Sequence, residues 1–152
     1  MAGTRSSTGP SGADAPRGAE HELLAHTAEV KLRVRAADFP ALAGEAGRAL
    51  AALELGGEVP PATGEAREIV VRAGDQGALL VDWLNELIYL AETERWVATE
   101  FVPQAGGPLE LRMRARGATV DTAPSRVKAA THHGLDVRTT ADGVEAEVVF
   151  DV

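Results

Sequence analysis

The 152-residue chain contains no cysteine, which excludes disulfides, thiolate zinc sites and a thiol nucleophile together. Aromatic residues make up only 4% of it, so the core has to be built from aliphatic side chains. Long apolar runs are missing as well. The most apolar stretch, "GALLVDWLNELIYLA", is too short to span a bilayer and is interrupted by Asp82, Asn85 and Glu86. The first twenty residues, "MAGTRSSTGPSGADAPRGAE", have no apolar core of the kind a signal peptide needs. Positive charge is scarce: 15 Lys and Arg against 23 Asp and Glu leave a formal charge of −8. That balance argues against sequence-independent binding of nucleic acid by the whole surface. A soluble, cytoplasmic protein without a membrane segment is expected.

What is there suffices for a fold. The apolar content of 45% and the length suit one globular domain with a sizeable core. Residues 1–20 are Gly, Ser, Ala and Pro with scattered charges, too poor in apolar surface to offset the entropy of ordering. They read as a disordered tail, and residues 21–152 as a single domain. Within that domain "EVKLRVRA" alternates, with Val30, Leu32 and Val34 on one face and Lys31, Arg33 and Arg35 on the other. This is the pattern of a half-buried strand. Asp38 is a plausible N-cap and Pro40 sits in the first turn of a helix over "ALAGEAGRALAAL", weakened by two internal glycines. After a Gly- and Pro-rich loop, "REIVVRAG" reads as a second strand.

The strongest helix follows at "DQGALLVDWLNELIYLAETERW". Leu80, Trp83, Leu84, Leu87, Ile88 and Ala91 recur at helical spacing, and Asp82, Asn85, Glu86 and Thr93 form a narrow polar stripe. So apolar a helix belongs at the centre of the molecule. Four more strands are expected at "VATEFVPQ", "LELRMRARG", "RVKAATHHGLDVRTT" and "VEAEVVFDV", with Asp142-Gly143 as a hairpin turn between the last two. The fold class is α+β, a largely antiparallel sheet with two main helices.

Chemical motifs are few. There is no phosphate-binding Gly loop ending in Lys-Ser/Thr, no Gly-x-Ser-x-Gly elbow and no His-Glu-x-x-His helix. His132 and His133 are adjacent, and in a regular strand they would point to opposite faces, which suits a structural or partner-facing role better than shared metal ligation. Two basic rows, Lys31/Arg33/Arg35 and Arg112/Arg114/Arg116, offer a docking face, or else cross-strand pairing with Glu145 and Glu147. The acid pair Asp82 and Glu86 fits the exposed edge of a mostly buried helix. The alternation of the last strand continues to the final residue, Val152, so its end is expected to be docked. If the first and last strands pair, Glu29 and Asp151 share a polar face, and with the Val152 carboxylate they would repel one another unless a cation intervenes. Hard oxygen ligands of this kind suit calcium, magnesium or manganese.

Four segments, "HTAEVKLRVRA", "LLVDWLNELIYLAETE", "VKAATHHGLDV" and "VVFDV", resemble the archeases, small protein activators of the RtcB-type tRNA-splicing RNA ligase. The resemblance covers nearly everything after residue 21. It implies an α+β fold related to strand–helix–strand–strand modules and a protein cofactor rather than an enzyme. Such a cofactor helps the ligase guanylylate its own histidine and turn over repeatedly, meeting tRNA or other RNA only through the ligase. The family's metal site carries over to Glu29, Asp151 and Val152. Lys128, in "VKAATHHG", is the candidate for contacting phosphate or holding the acidic cluster in place. Glu29 stands where the family usually has Asp, and its extra methylene favours flexible calcium over octahedral magnesium or manganese. The first helix lacks the family's Phe-rich, Met-Thr-Asp ending, and the segment before "VKAATHHG" is shortened. Two other readings stay open: a general binding or chaperone-like module stabilised by a metal, and a small metal-dependent phosphoester hydrolase with His132 or His133 as base.

Overall fold

The alternation of "EVKLRVRA" becomes the first strand, β1 (Glu29–Ala36), in the computed structural model, which describes residues 28–152. The expected N-terminal tail lies outside the described residues. Helix α1 (Phe39–Leu55) starts where Asp38 accepts a hydrogen bond from the Ala41 amide at 2.9 Å, with Pro40 in its first turn. It ends at Gly56, whose φ of 77° is a left-handed conformation that glycine adopts without steric cost. Strand β2 (Thr63–Arg72) leads to helix α2 (Gln76–Glu94), capped by Asp75 through the Ala78 amide at 2.8 Å. Strands β3 (Trp96–Gln104), β4 (Glu110–Thr119), β5 (Ala129–Thr140) and β6 (Gly143–Asp151) complete the chain.

The strands of the described residues form two three-stranded antiparallel sheets, ordered β1-β6-β5 and β2-β4-β3, where the sequence patterns suggested a single, largely antiparallel one. The last strand is therefore central in its own sheet, held by the first strand on one side and its hairpin partner on the other. Helix α2 contacts β5 of one sheet and β2, β3 and β4 of the other, and α1 contacts β1 and β3. This central position is the one its all-round apolar sequence demanded. Trp83 is fully buried on α2; its indole N–H donates to the Ala43 carbonyl of α1 at 2.9 Å, and its ring meets Phe101 of β3 edge-on at 5.7 Å.

Of the two glycines that weaken α1 as a helix, Gly47 has a packing role. A Cβ at Gly47 would lie 2.7 Å from the Phe101 ring, so the missing side chain is the space that the ring occupies. Among the described residues neither helix is long and apolar enough to cross a membrane.

Candidate functional site

The candidate site lies at the end of the β1-β6-β5 sheet. Glu29 of β1 is directly opposite Asp151 of β6, and Ala129 of β5 is opposite Asp151 on the other side. Directly opposed residues project to the same face of a sheet, so the two carboxylates share one face. Two further bonds fix this end: the Val152 amide donates to the Ala28 carbonyl at 3.0 Å, and the Lys128 amide donates to the Asp151 carbonyl at 2.8 Å. Val152 is half-buried and packs against the main core. The docked end expected from the alternation is thus tied on both edges.

Glu29 is exposed and Asp151 half-buried, and among the described residues neither makes an ion pair. Like charges directly opposed on a sheet destabilise it unless something neutralises them. The donor set fits a hard cation: two carboxylates on one face, beside a main chain held rigidly by strand pairing. Among the described residues no three His, Asp or Glu side chains gather closely enough to hold a metal. Side chains could therefore supply at most two ligands to an ion there, and main-chain oxygens, water or a partner would have to supply the rest. Lys128 places its exposed side chain one residue from Ala129, the strand partner of Asp151.

The histidine pair does not sit in a regular strand. Between Thr131, opposite Val149, and Asp136, opposite Glu147, β5 advances five residues while β6 advances two. The extra residues form a bulge, with Gly134 at a φ of 69° and Leu135 turned inward to within 3.0 Å of where a Cβ on Gly77 would be. His132 and His133 are both exposed on that bulge. Strand alternation no longer decides their directions, and the opposite-faces argument does not apply to them.

The two basic rows belong to different sheets. Lys31 and Arg33 pair with Glu147 at 3.7 and 3.0 Å, as cross-strand pairing predicts. Glu145 instead pairs with Arg138 of β5. Arg112 pairs with Glu68 and Glu110, and Arg116 with Glu100, all within the second sheet, so Glu145 and Glu147 do not serve that row. Two sheets make this division, and it could not be read from spacing.

The polar stripe of α2 also divides. Asp82 is exposed and Glu86 half-buried, while the half-buried Asn85 turns to the sheet: its Nδ2 donates to the Ala130 carbonyl at 3.0 Å and its Oδ1 accepts from the Ala130 amide at 2.8 Å. It pairs with the outer edge of β5 much as another strand would. Glu54 of α1 is buried, at 5% exposure, with Glu92 of α2 as a like-charged neighbour. Burial first, and Glu92 second, push its carboxyl from an ordinary 4.5 up to about 8. The signal was available, because Glu54 continues the buried series Ala43, Gly47 and Leu50 at helical spacing.

Residues 21–152 match the Archease protein family. The archease of Methanosarcina barkeri is 32% identical over 145 residues, covering 90% of this chain and 98% of that one. A crystal structure from Thermotoga maritima, described as an archease and possible chaperone, superposes with a TM-score of 0.58 at 22% identity, covering 84% of this chain and 93% of that one. The solution structure of Methanobacterium thermoautotrophicum protein 1598 gives a TM-score of 0.57 at 22% identity, with 84% and 94% covered. The chain belongs to the archease family, and its two-sheet, two-helix α+β fold is the fold of those structures.

Proposed function

We propose that this protein is a non-enzymatic cofactor for an RtcB-type RNA ligase, promoting guanylylation of the ligase histidine and multiple turnover in tRNA splicing or RNA repair. Family membership supports the reading. The observation that carries it is the Glu29–Asp151 pair, two opposed carboxylates without a cationic partner among the described residues, at an end of a sheet tied by main-chain bonds. In this reading Glu29, Asp151 and Val152, the last through its main-chain oxygen, hold a divalent ion, calcium in preference to magnesium or manganese. Such an ion, when bound, supplies positive charge for phosphate oxygens. The chain's own contribution is placement. β1 and β5 clamp Asp151 from both sides, and Lys128, bonded through its amide to the Asp151 carbonyl, reaches toward phosphate from the same end.

The test is multiple-turnover RNA ligation by the ligase of the same organism at limiting guanine nucleotide, with and without this protein. Acceleration that disappears in Asp151→Asn, a variant checked for an unchanged fold, is the expected result. Acceleration untouched by that substitution would refute the site. A ligase proven active alone but indifferent to the protein would refute the function.

A further inference from the structure

Among the described residues strand β1 is an edge strand, and its outer edge is open. In sheet order β1-β6-β5 it pairs only with β6. The bond from the Val152 amide to the Ala28 carbonyl makes that pair hydrogen-bonded, and the pairs at Val30, Leu32, Val34 and Ala36 follow in the same phase. The main-chain N–H and C=O groups of Lys31, Arg33 and Arg35 therefore point away from β6. Among the described residues none of these groups meets another main-chain partner. Opposite this edge, across a groove of about 350 Å³, stands α1, presenting Ala41, Glu45, Arg48 and Ala49.

The groove has one dominant sign and two kinds of wall. Arg33, Arg35 and Arg48 line it against a single acid, Glu45. Arg35 makes no ion pair among the described residues, and the pairs made by Arg33 and Arg48, with Glu147 and Glu45, are exposed ones that exchange at little cost. A strand laid along β1 would put alternate side chains beside Lys31, Arg33 and Arg35 on the outer sheet face. The others would face the alanines of α1. The same cationic row repels the β1 edge of a second copy, which is how edge strands avoid self-association.

We propose that the open edge of β1 is a docking site for an extended acidic peptide segment of a protein partner, added as a fourth strand and patterned acid–apolar–acid. Main-chain bonds to Lys31, Arg33 and Arg35 hold it, the arginine row selects its acidic side chains, and the alanine wall limits the alternate side chains to small or medium apolar ones. This inference is independent of the metal site and of the ligase.

The probe is a fluorescein-labelled (Glu-Val)₄ peptide titrated by anisotropy with the full chain. Saturable binding is expected. It should weaken roughly tenfold or more when the peptide is N-methylated at the alternate residues facing β1, since each main-chain bond lost is worth a severalfold factor. On the protein side, Arg35→Gln reads the charge alone. Arg35→Pro removes in addition an N–H that bonds nothing among the described residues, so it should bind more weakly than Arg35→Gln. The methylated peptide keeps the test intact if the proline variant fails to fold. Absence of binding at millimolar peptide, equal binding of the methylated peptide, or equal binding of (Lys-Val)₄ would each overturn the proposal. So would a single-stranded RNA that displaces the peptide and binds more tightly, which would assign the basic edge to phosphate.

Discussion

Replacing Glu54 by Gln isolates the cost of a buried carboxyl. The group is at 5% exposure in α1, with Glu92 of α2 nearby, and its carboxyl rises from 4.5 to about 8. Folding therefore takes up a proton at any pH between those values, because the unfolded chain carries Glu54 ionised and the folded one carries it neutral. Stability from this group is complete below pH 4.5 and is lost as pH rises toward about 8, the sign expected of an acid whose folded pKa lies above its unfolded one. At about 1.4 kcal/mol per pH unit, the loss is roughly 3 kcal/mol by pH 7 and roughly 5 kcal/mol once the folded group also ionises. Gln keeps the shape and polarity of the neutral acid and cannot ionise. Urea midpoints for the two proteins should lie close together at pH 5. Glu54→Gln should become the more stable by several kcal/mol at pH 8.5, and the difference curve removes every other titrating group. Parallel profiles across that range would refute the burial argument, and Glu92→Gln should recover only a minor part of the effect.

Two glycines three residues apart on α1 should respond to alanine with opposite signs. At Gly44 a Cβ would make ordinary contact with the Phe101 Cβ at 3.5 Å, so Gly44→Ala should raise the melting temperature through the roughly 0.5–1 kcal/mol of helix propensity gained. At Gly47 it would meet the Phe101 ring at 2.7 Å, and Gly47→Ala should lower it, because about 1–3 kcal/mol of overpacking outweighs the same propensity gain; two shifts of one sign would contradict the packing account. Asn85→Ala strips both partners from the Ala130 main chain and should cost about 3 kcal/mol in chemical denaturation, while an effect below about 1 kcal/mol would mean that water restores both bonds.

Much of the fold was legible because its local signals agree. The alternation of "EVKLRVRA" and "VEAEVVFDV", the cap Asp38, and the apolar periodicity around Trp83 each depend on residues close in sequence. The division into two sheets depends on pairings between distant strands, and alternation says which face is buried without saying against which neighbour. The bulge in β5 escaped for a related reason. "THHGLD" contains one apolar residue, so the pattern there is too thin to fix a register, and only the hairpin partner reveals three additional residues. Glu54 shows the opposite failure: its position in the helical series was plain, but an ionisable carboxyl is a side chain that burial penalises heavily.

The candidate acids were legible individually, and their juxtaposition followed once β1 and β6 paired. Asn85 was the part that chemistry misdirected. Between two acids on a helix it reads as a third polar group of a surface stripe, whereas its amide can present an N–H donor and a carbonyl acceptor side by side to a strand edge, and it does so at Ala130. That choice links the centre of the molecule to the candidate site. Ala130, bonded by Asn85, precedes the bulge and follows Ala129, which is opposite Asp151, and the Lys128 amide just before it holds the Asp151 carbonyl. Helix α2 therefore fixes the height of β5, and β5 fixes the end of β6. If Glu29 and Asp151 act as one carboxylate pair, loosening Asn85 should weaken whatever the pair holds, even though Asn85 touches neither acid. Calcium titrations of Asn85→Ala and Asp151→Asn, followed by thermal melting, separate the two levels. The first variant should keep a calcium-dependent rise at higher ion concentration, and the second should lose it. A rise of the same size and midpoint in all three proteins would place the ion elsewhere.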